Sequence, residues 1–101
     1  MKPLETLDLI IHAPLRLAVM TILASVREAD FVFLRDSTGA TDGNLSTHLQ
    51  KLEEAKYIRV AKAFEGRKPR TRFTLTAAGR QAYAGYIEAL QEYIKVSKHM
   101  K

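Results

Sequence analysis

Apolar residues recur along the chain in blocks whose spacing is first helical, then alternating, then helical again, and these changes lay out its elements. Leu4, Leu7, Ile10 and Ile11 stand at helical spacing and predict a first short helix over residues 4–12, closed by Pro14. Pro14 in turn suits the first turn of a second helix, where its missing N–H costs nothing. In that helix Leu15, Leu17, Ala18, Met20, Ile22, Leu23 and Val26 leave little polar face, the pattern of a helix buried on several sides. Asp30-Phe31-Val32-Phe33-Leu34 is too short and too apolar to assign alone; a brief strand running into a short helix over about 33–38 is the expectation. Ser37-Thr38-Gly39-Ala40 reads as a turn. Thr41 is a good N-cap for a helix over about 42–55, with Leu45, Leu49 and Leu52 on one stripe.

Two helices joined by a short Gly-containing turn make a helix-turn-helix. After it the period drops to two. Tyr57-Ile58-Arg59-Val60-Ala61-Lys62-Ala63-Phe64 favours a strand, and Glu65-Gly66-Arg67-Lys68-Pro69 supplies turn chemistry. The return segment alternates, with Thr71, Phe73 and Leu75 on one face and Arg70, Arg72 and Thr74 on the other. A β-hairpin over about 57–75 with a basic tip and a basic face follows. Thr76 then caps a final helix over about 77–97, in which Tyr83, Tyr86, Ile87, Leu90 and Ile94 form an apolar stripe. The fold class expected is mainly α with a small β-hairpin, built as one domain over 1–101 without repeats or linkers.

Composition narrows the chemistry. The chain has no cysteine, which removes disulfides, thiolate metal sites and cysteine nucleophiles. None of its three histidines has a His or Asp at metal spacing, so no metal or cofactor is expected. There is no phosphate loop or His–carboxylate cluster and little length from which to form a deep pocket, so an enzyme is the weakest class. No apolar run approaches the roughly 18–20 residues that span a bilayer, and the start lacks the pattern of a secretory signal. A soluble, cytoplasmic protein without a membrane role is expected.

Net charge is +5, and its placement says more than its size. Residues 56–72 hold Lys56, Arg59, Lys62, Arg67, Lys68, Arg70 and Arg72 against the single acid Glu65. The rest of the chain holds nine basic and ten acidic residues. One short segment therefore carries the whole positive excess, the footprint of a surface that meets phosphates.

The run from Thr41 to Ala55 resembles the recognition helix of winged-helix regulators of the MarR and ArsR type. Pro14-Leu15-Arg16-Leu17 resembles the start of their core helix, and Phe73-Thr74-Leu75-Thr76-Ala77-Ala78-Gly79-Arg80 their exit from the wing. The likeness spans nearly the whole chain. It implies a DNA-binding transcription regulator, a repressor, dimerising through N- and C-terminal helices and presenting two recognition helices about one DNA turn apart. One position departs: such sequences usually carry Gly where this chain has Lys56, because the residue that ends a helix often takes positive φ, which costs a Cβ-bearing residue on the order of 1 kcal/mol.

The reading residues follow from helix geometry. With the leucine stripe inward, Gly43, Thr47, Gln50 and Glu54 point outward, flanked by Asn44, Ser46 and Lys51. Ser and Thr can bond phosphates or base edges, Asn and Gln can pair with adenine, and Gly43 admits close backbone approach near the helix N-terminus beside Thr41. Taken alone, that face could equally be an ordinary solvated surface. What favours double-stranded DNA is the basic wing beside it, where Lys62, Arg67, Lys68, Arg70 and Arg72 could follow a backbone or enter a minor groove. His48, at the edge of the leucine stripe, packs at the core boundary or contacts a phosphate. For the homodimer, Leu4, Leu7 and Ile11 of the first helix and Tyr86, Leu90, Tyr93 and Ile94 of the last are the expected contacts, since a helix of about twenty residues outruns a small domain. A tyrosine-lined dimer groove leaves room for an unidentified small-molecule effector. The competing class is a winged helix used for protein interaction or RNA binding, because fold does not dictate function.

Overall fold

The computed structural model describes residues 3–99. Its elements are α1 (Pro14–Ser25), β1 (Ala29–Asp30), α2 (Phe31–Thr38), α3 (Asp42–Glu54), β2 (Ile58–Glu65), β3 (Lys68–Leu75) and α4 (Ala77–His99). Each helix end is set by local chemistry. Pro14 opens α1 after an extended Ala13. Asp30 caps α2 by accepting from the Phe33 N–H at 2.8 Å, Thr41 caps α3 by accepting from Asn44 at 3.2 Å, and Thr76 caps α4 by accepting from Gly79 at 2.9 Å. Gly39, at φ 72°, stops α2 in the left-handed conformation that lets the chain turn into α3.

α1 is the spine, packing against α2, α3, α4 and β3. Val19, Met20 and Leu23 from α1, Leu34 from α2, Leu45, Leu49 and Leu52 from α3, and Ile58 and Phe73 from the sheet form one buried cluster. The sheet has three strands in the order β1-β3-β2, all antiparallel. The hairpin expected from sequence is therefore joined by a third, two-residue strand, with Ala29 opposite Phe73 and Asp30 opposite Arg72. The β2–β3 turn is only Gly66-Arg67, with Gly66 at φ 63° and Glu65 paired with Lys68. A tight turn with positive φ at its first central residue matches the right-handed twist of the strands.

The first helix expected from sequence does not form. Residues 3–8 run without regular structure and end in a single turn at 9–11. Asp8 explains the difference. Its Oδ1 accepts from the N–H groups of Ile10 (2.8 Å) and Ile11 (3.3 Å), and its Oδ2 accepts from the Tyr57 hydroxyl at 2.5 Å. A short acidic side chain that can satisfy local backbone donors outside a helix competes with the helix. The turn also delivers Ile11 into the core, where it is fully buried.

The end of α3 answers the question raised by Lys56, which has φ 65°. The Lys56 N–H donates to Glu53 (2.9 Å) and the Tyr57 N–H to Leu52 (3.0 Å), the paired bonds of a Schellman cap. Lys56 thus sits in the glycine conformation and accepts its strain. Next to it, Gly79 of α4 lies against the Tyr57 backbone, and a Cβ there would stand 1.9 Å from the Tyr57 carbonyl oxygen. The Thr76 hydroxyl ties the same junction by donating to the Lys56 carbonyl at 2.7 Å.

Candidate nucleic-acid interface

Burying Leu45, Leu49 and Leu52 turns the rest of α3 outward, and Gly43, Asn44, Ser46, Thr47, Gln50 and Lys51 are all exposed. The N-terminus of α3 presents Thr41 and Asp42; Asp42 also takes a 3.3 Å ion pair from Arg35, which ties α2 to α3. The Arg35 guanidinium is raised above its ordinary pKa by hydrogen bonds to Asp36 and then Asp42. The Thr47 hydroxyl donates to the Gly43 carbonyl at 3.0 Å, so outward it offers only a lone pair and a methyl group. Gln50 is exposed and carries an amide that can donate and accept at once on an adenine edge.

The register of β2 and β3 sorts the wing cations into two faces. Ile58, Val60, Lys62 and Phe64 share one face with Leu75, Phe73, Thr71 and Pro69; Arg59, Ala61, Ala63 and Glu65 share the other with Thr74, Arg72, Arg70 and Lys68. The first face is turned toward α3: Val60, Lys62, Thr71 and Phe73 line an open cleft with Ser46, Gln50 and Glu53. Lys62 is thereby brought together with the α3 surface, and Arg67 stands in the turn at the wing tip.

Arg70 and Arg72 are not brought there. On the far face Arg72 is ion-paired with both Glu28 and Glu65, and Arg70 with Asp30 (3.2 Å) and Glu65 (3.3 Å). Glu65 first and then Glu28 raise the Arg72 guanidinium above its ordinary pKa. These exposed pairs contribute little stability, but they fix the wing's orientation on β1 and neutralise two of the cations counted in the sequence. Among the described residues, Lys62, Arg67 and Lys68 form no ion pair. Glu28 and Asp30 lie 44 and 40 residues before Arg72 and Arg70, so only the fold shows their part in the neutralisation.

His48 is half-buried, unlike the exposed Thr47 and Gln50. Its Nδ1 accepts from the Arg16 guanidinium at 2.9 Å, and Arg16 also donates to the carbonyls of Ile10 (2.5 Å) and Leu9 (3.5 Å). Burial first, then the charges of Arg16 and Lys51, hold the imidazole below its ordinary pKa of 6.5. It is a neutral acceptor that fastens the N-terminal turn and α1 to α3. The Tyr57 hydroxyl is pushed up to about 12 by its hydrogen bond to Asp8, then by burial and the Asp8 charge. Among the described residues no group of three or more His, Asp or Glu side chains could hold a metal ion, and no helix is long and apolar enough to cross a membrane.

A polar helix face lying beside a basic β-ribbon is an arrangement shared with known proteins. Residues 15–94 match the family of winged helix DNA-binding domains. The chain belongs to that family. Its winged helix superposes on a transcriptional regulator homologue of Pyrococcus horikoshii with a TM-score of 0.80 and 29% identity, covering 85% of each chain. A structure described as a MarR-family transcriptional regulator of Enterococcus faecalis shares the fold with a TM-score of 0.74 at 21% identity, covering 89% of this chain and 80% of that one. An uncharacterized protein of Methanocaldococcus jannaschii is 29% identical over 92 residues, 91% of this chain and 97% of its own length. The Pyrococcus and Enterococcus structures are described as transcriptional regulators, and the family to which this chain belongs is one of DNA-binding winged helices.

The expected dimer contacts fall into two groups. Ile11 and Tyr86 are buried inside the protomer, and Leu7 packs against the same core. Leu4 and Ile94 are 42% and 47% exposed, and Leu4 lines a groove with Gly85, Ala89 and Val96 of α4. The tyrosines of α4 tie the protomer together. Tyr83 donates to the Thr21 hydroxyl (2.9 Å), Tyr86 shares a hydrogen bond with His12 (2.8 Å), and Tyr93 donates to the Glu5 carbonyl (2.9 Å).

Proposed function

We propose that this winged helix is a sequence-specific transcriptional repressor that binds a pseudo-palindromic operator as a homodimer. α3 lies in the major groove, where Asn44, Ser46, Thr47 and Gln50 read base edges while Thr41, Gly43 and Lys51 hold the backbone. The wing follows the adjacent backbone and minor groove through Lys62, Arg67 and Lys68. The observation that carries this reading is the convergence of the polar α3 face and the Lys62 side of the wing on one cleft.

The dimer is supported by shape. α4 has 23 residues, about 34 Å of helix, and the molecule is 59 Å long against 26 and 20 Å across. The distal end of α4 runs out beside the N-terminal arm, where Leu4 and Ile94 are exposed. There Leu4, Ala89 and Val96 line a groove together with Glu5, Glu88 and Glu92, a mixed apolar and acidic strip on which a second copy would pack, while Leu90 lies against the protomer's own core. Since the α4 tyrosine hydroxyls are taken within the protomer, a small-molecule effector forms no part of the proposal.

Selection of duplexes from a random pool at about 150 mM salt tests it. Enrichment of a pseudo-palindrome with half-sites about 10 bp apart is expected, with Thr47→Ala and Gln50→Ala relaxing the preference at single positions. Recovery of no enriched sequence refutes the sequence-reading role, and a monomer by sedimentation at micromolar concentration refutes the dimer.

A further inference from the structure

Phe64 is 76% exposed, although it stands near the end of a hairpin that the reading above lays on DNA. Single exposed apolar residues are common, so exposure alone says nothing. Its surroundings say more. Phe64 lies opposite Pro69, so two apolar groups share one face at the penultimate pair before the turn. By strand alternation this is the face that carries Lys62 and Thr71, the side turned toward α3. The only acid of the basic segment, Glu65, points to the opposite face and is held there by Arg70 and Arg72. Arg67 closes the tip, and no residue of β2 or β3 on the face of the apolar pair carries a carboxylate; the acids beside that face, Asp30 and Glu53, belong to β1 and α3 and line the clefts at its base.

We infer that Phe64 is a DNA-contacting residue, an apolar wedge that enters the minor groove next to the one occupied by α3, while Lys62 and Arg67 hold the phosphates on either side. The inference rests on the proposed DNA-binding role. Charge selects the occupant, because the surrounding cations favour a polyanion over an apolar protein face. Geometry selects the groove. The ribbon is two strands wide, closes in a two-residue turn and flanks the helix assigned to the major groove, so its tip falls over the neighbouring minor groove. An apolar side chain there covers sugar faces and presses between base steps, opening the groove by partial unstacking. Such a contact depends on how easily a step unstacks, so it adds sequence preference through deformability without a hydrogen bond to any base.

The chain contains no tryptophan, so Phe64→Trp installs a single indole, excited selectively over the four tyrosines, at an exposed position that tolerates it. Binding is followed independently by anisotropy of a labelled mixed-sequence duplex long enough for two half-sites. The expected result is that emission from the introduced indole is quenched and shielded from acrylamide in step with binding. Phe64→Ala should bind about tenfold more weakly, with the slope of log affinity against log salt unchanged, because the lost contact is not ionic. If Phe64→Ala binds like the unaltered protein and the indole of Phe64→Trp stays accessible in the complex, the wedge is overturned while the DNA-binding role stands. If Phe64→Ala loses self-association in the absence of DNA, Phe64 belongs to a protein interface and the wedge is likewise overturned. If no variant, nor the unaltered protein, binds duplex, both readings fall together.

Discussion

Gly79 and Gly85 lie in the same helix, and the same substitution at each should change stability in opposite directions. A Cβ on Gly79 would stand 1.9 Å from the Tyr57 carbonyl oxygen and 2.8 Å from its carbonyl carbon. An ordinary carbon–oxygen approach is about 3.3 Å or more, so α4 and the Tyr57 backbone would have to separate by roughly 1.4 Å. Three hydrogen bonds cross or brace that junction. The Thr76 N–H donates to the Tyr57 carbonyl (3.1 Å), the Thr76 hydroxyl to the Lys56 carbonyl (2.7 Å), and the Gly79 N–H to the Thr76 hydroxyl (2.9 Å). Overpacking costs about 1–3 kcal/mol and each weakened hydrogen bond about 0.5–1.5 kcal/mol, whereas Ala gains about 1 kcal/mol over Gly in helix propensity. The clash outweighs the propensity, and Gly79→Ala should lose about 2–4 kcal/mol. At Gly85 a Cβ meets nothing within 4 Å, so only the propensity remains and Gly85→Ala should gain about 0.5–1 kcal/mol. Urea unfolding followed by far-UV circular dichroism reads both. With a slope of about 1–3 kcal/mol per M, Gly79→Ala should lower the midpoint by roughly 1–3 M and Gly85→Ala raise it slightly. Midpoints that move in the same direction, or Gly79→Ala within about 0.5 kcal/mol of the unaltered protein, the usual spread for an inconsequential substitution, would refute the argument from close approach.

Lys56→Gly should stabilise the domain by about 1 kcal/mol in the same assay, since it keeps both Schellman bonds and removes the strain of a Cβ at φ 65°. In DNA titrations across salt concentrations, Arg67→Ala should reduce the salt slope by about one, whereas Arg72→Ala should leave it nearly unchanged, because Glu28 and Glu65 already neutralise that guanidinium; equal reductions would mean that the ion pairs open on DNA. Protonation of His48 is easier in the unfolded chain than in the folded one, because burial and then Arg16 and Lys51 depress the folded pKa below 6.5. The stability it contributes is therefore present above pH 6.5 and is lost as pH falls through the lower, folded pKa. His48→Asn should remove that part of the acid dependence, measured as the change in urea midpoint below pH 6.5 relative to the unaltered protein; identical pH profiles would show that His48 carries none of it.

Much of the candidate interface was legible because its signals are local. Thr41 and the leucine stripe of α3 define the helix and, by subtraction, the outward face of Gly43, Asn44, Ser46, Thr47, Gln50 and Lys51. The wing was legible from alternation and from Gly66, whereas Lys56 at a glycine position left two endings open, a different helix end or an accepted positive φ, and only the structure shows the second. Phe64 carries no signal in the sequence, because an exposed aromatic at one strand position means nothing until the register shows what lies opposite and beside it.

Sequence by itself determined the elements whose causes lie within a few residues: α1 from its apolar run after Pro14, α3 from its cap and stripe, the hairpin from its period of two, and α4 from Thr76 and its long stripe. Periodicity, caps and turn residues act over one helical turn or one strand pair, and so they can be read along the chain. Tertiary structure alone decided what depends on partners distant in sequence. Leu4, Leu7 and Ile11 carry helical spacing, yet Asp8 reaches Tyr57 across the fold and holds the segment in a turn that buries Ile11 within the protomer. Arg70 and Arg72 carry charge in the sequence, yet Glu28, Asp30 and Glu65 occupy them on the face away from α3. Gly79 becomes indispensable only when α4 lies against the Tyr57 carbonyl. In each case the deciding force, a hydrogen bond, an ion pair or a steric limit, falls off within a few ångströms, and only the folded chain brings the two groups that close.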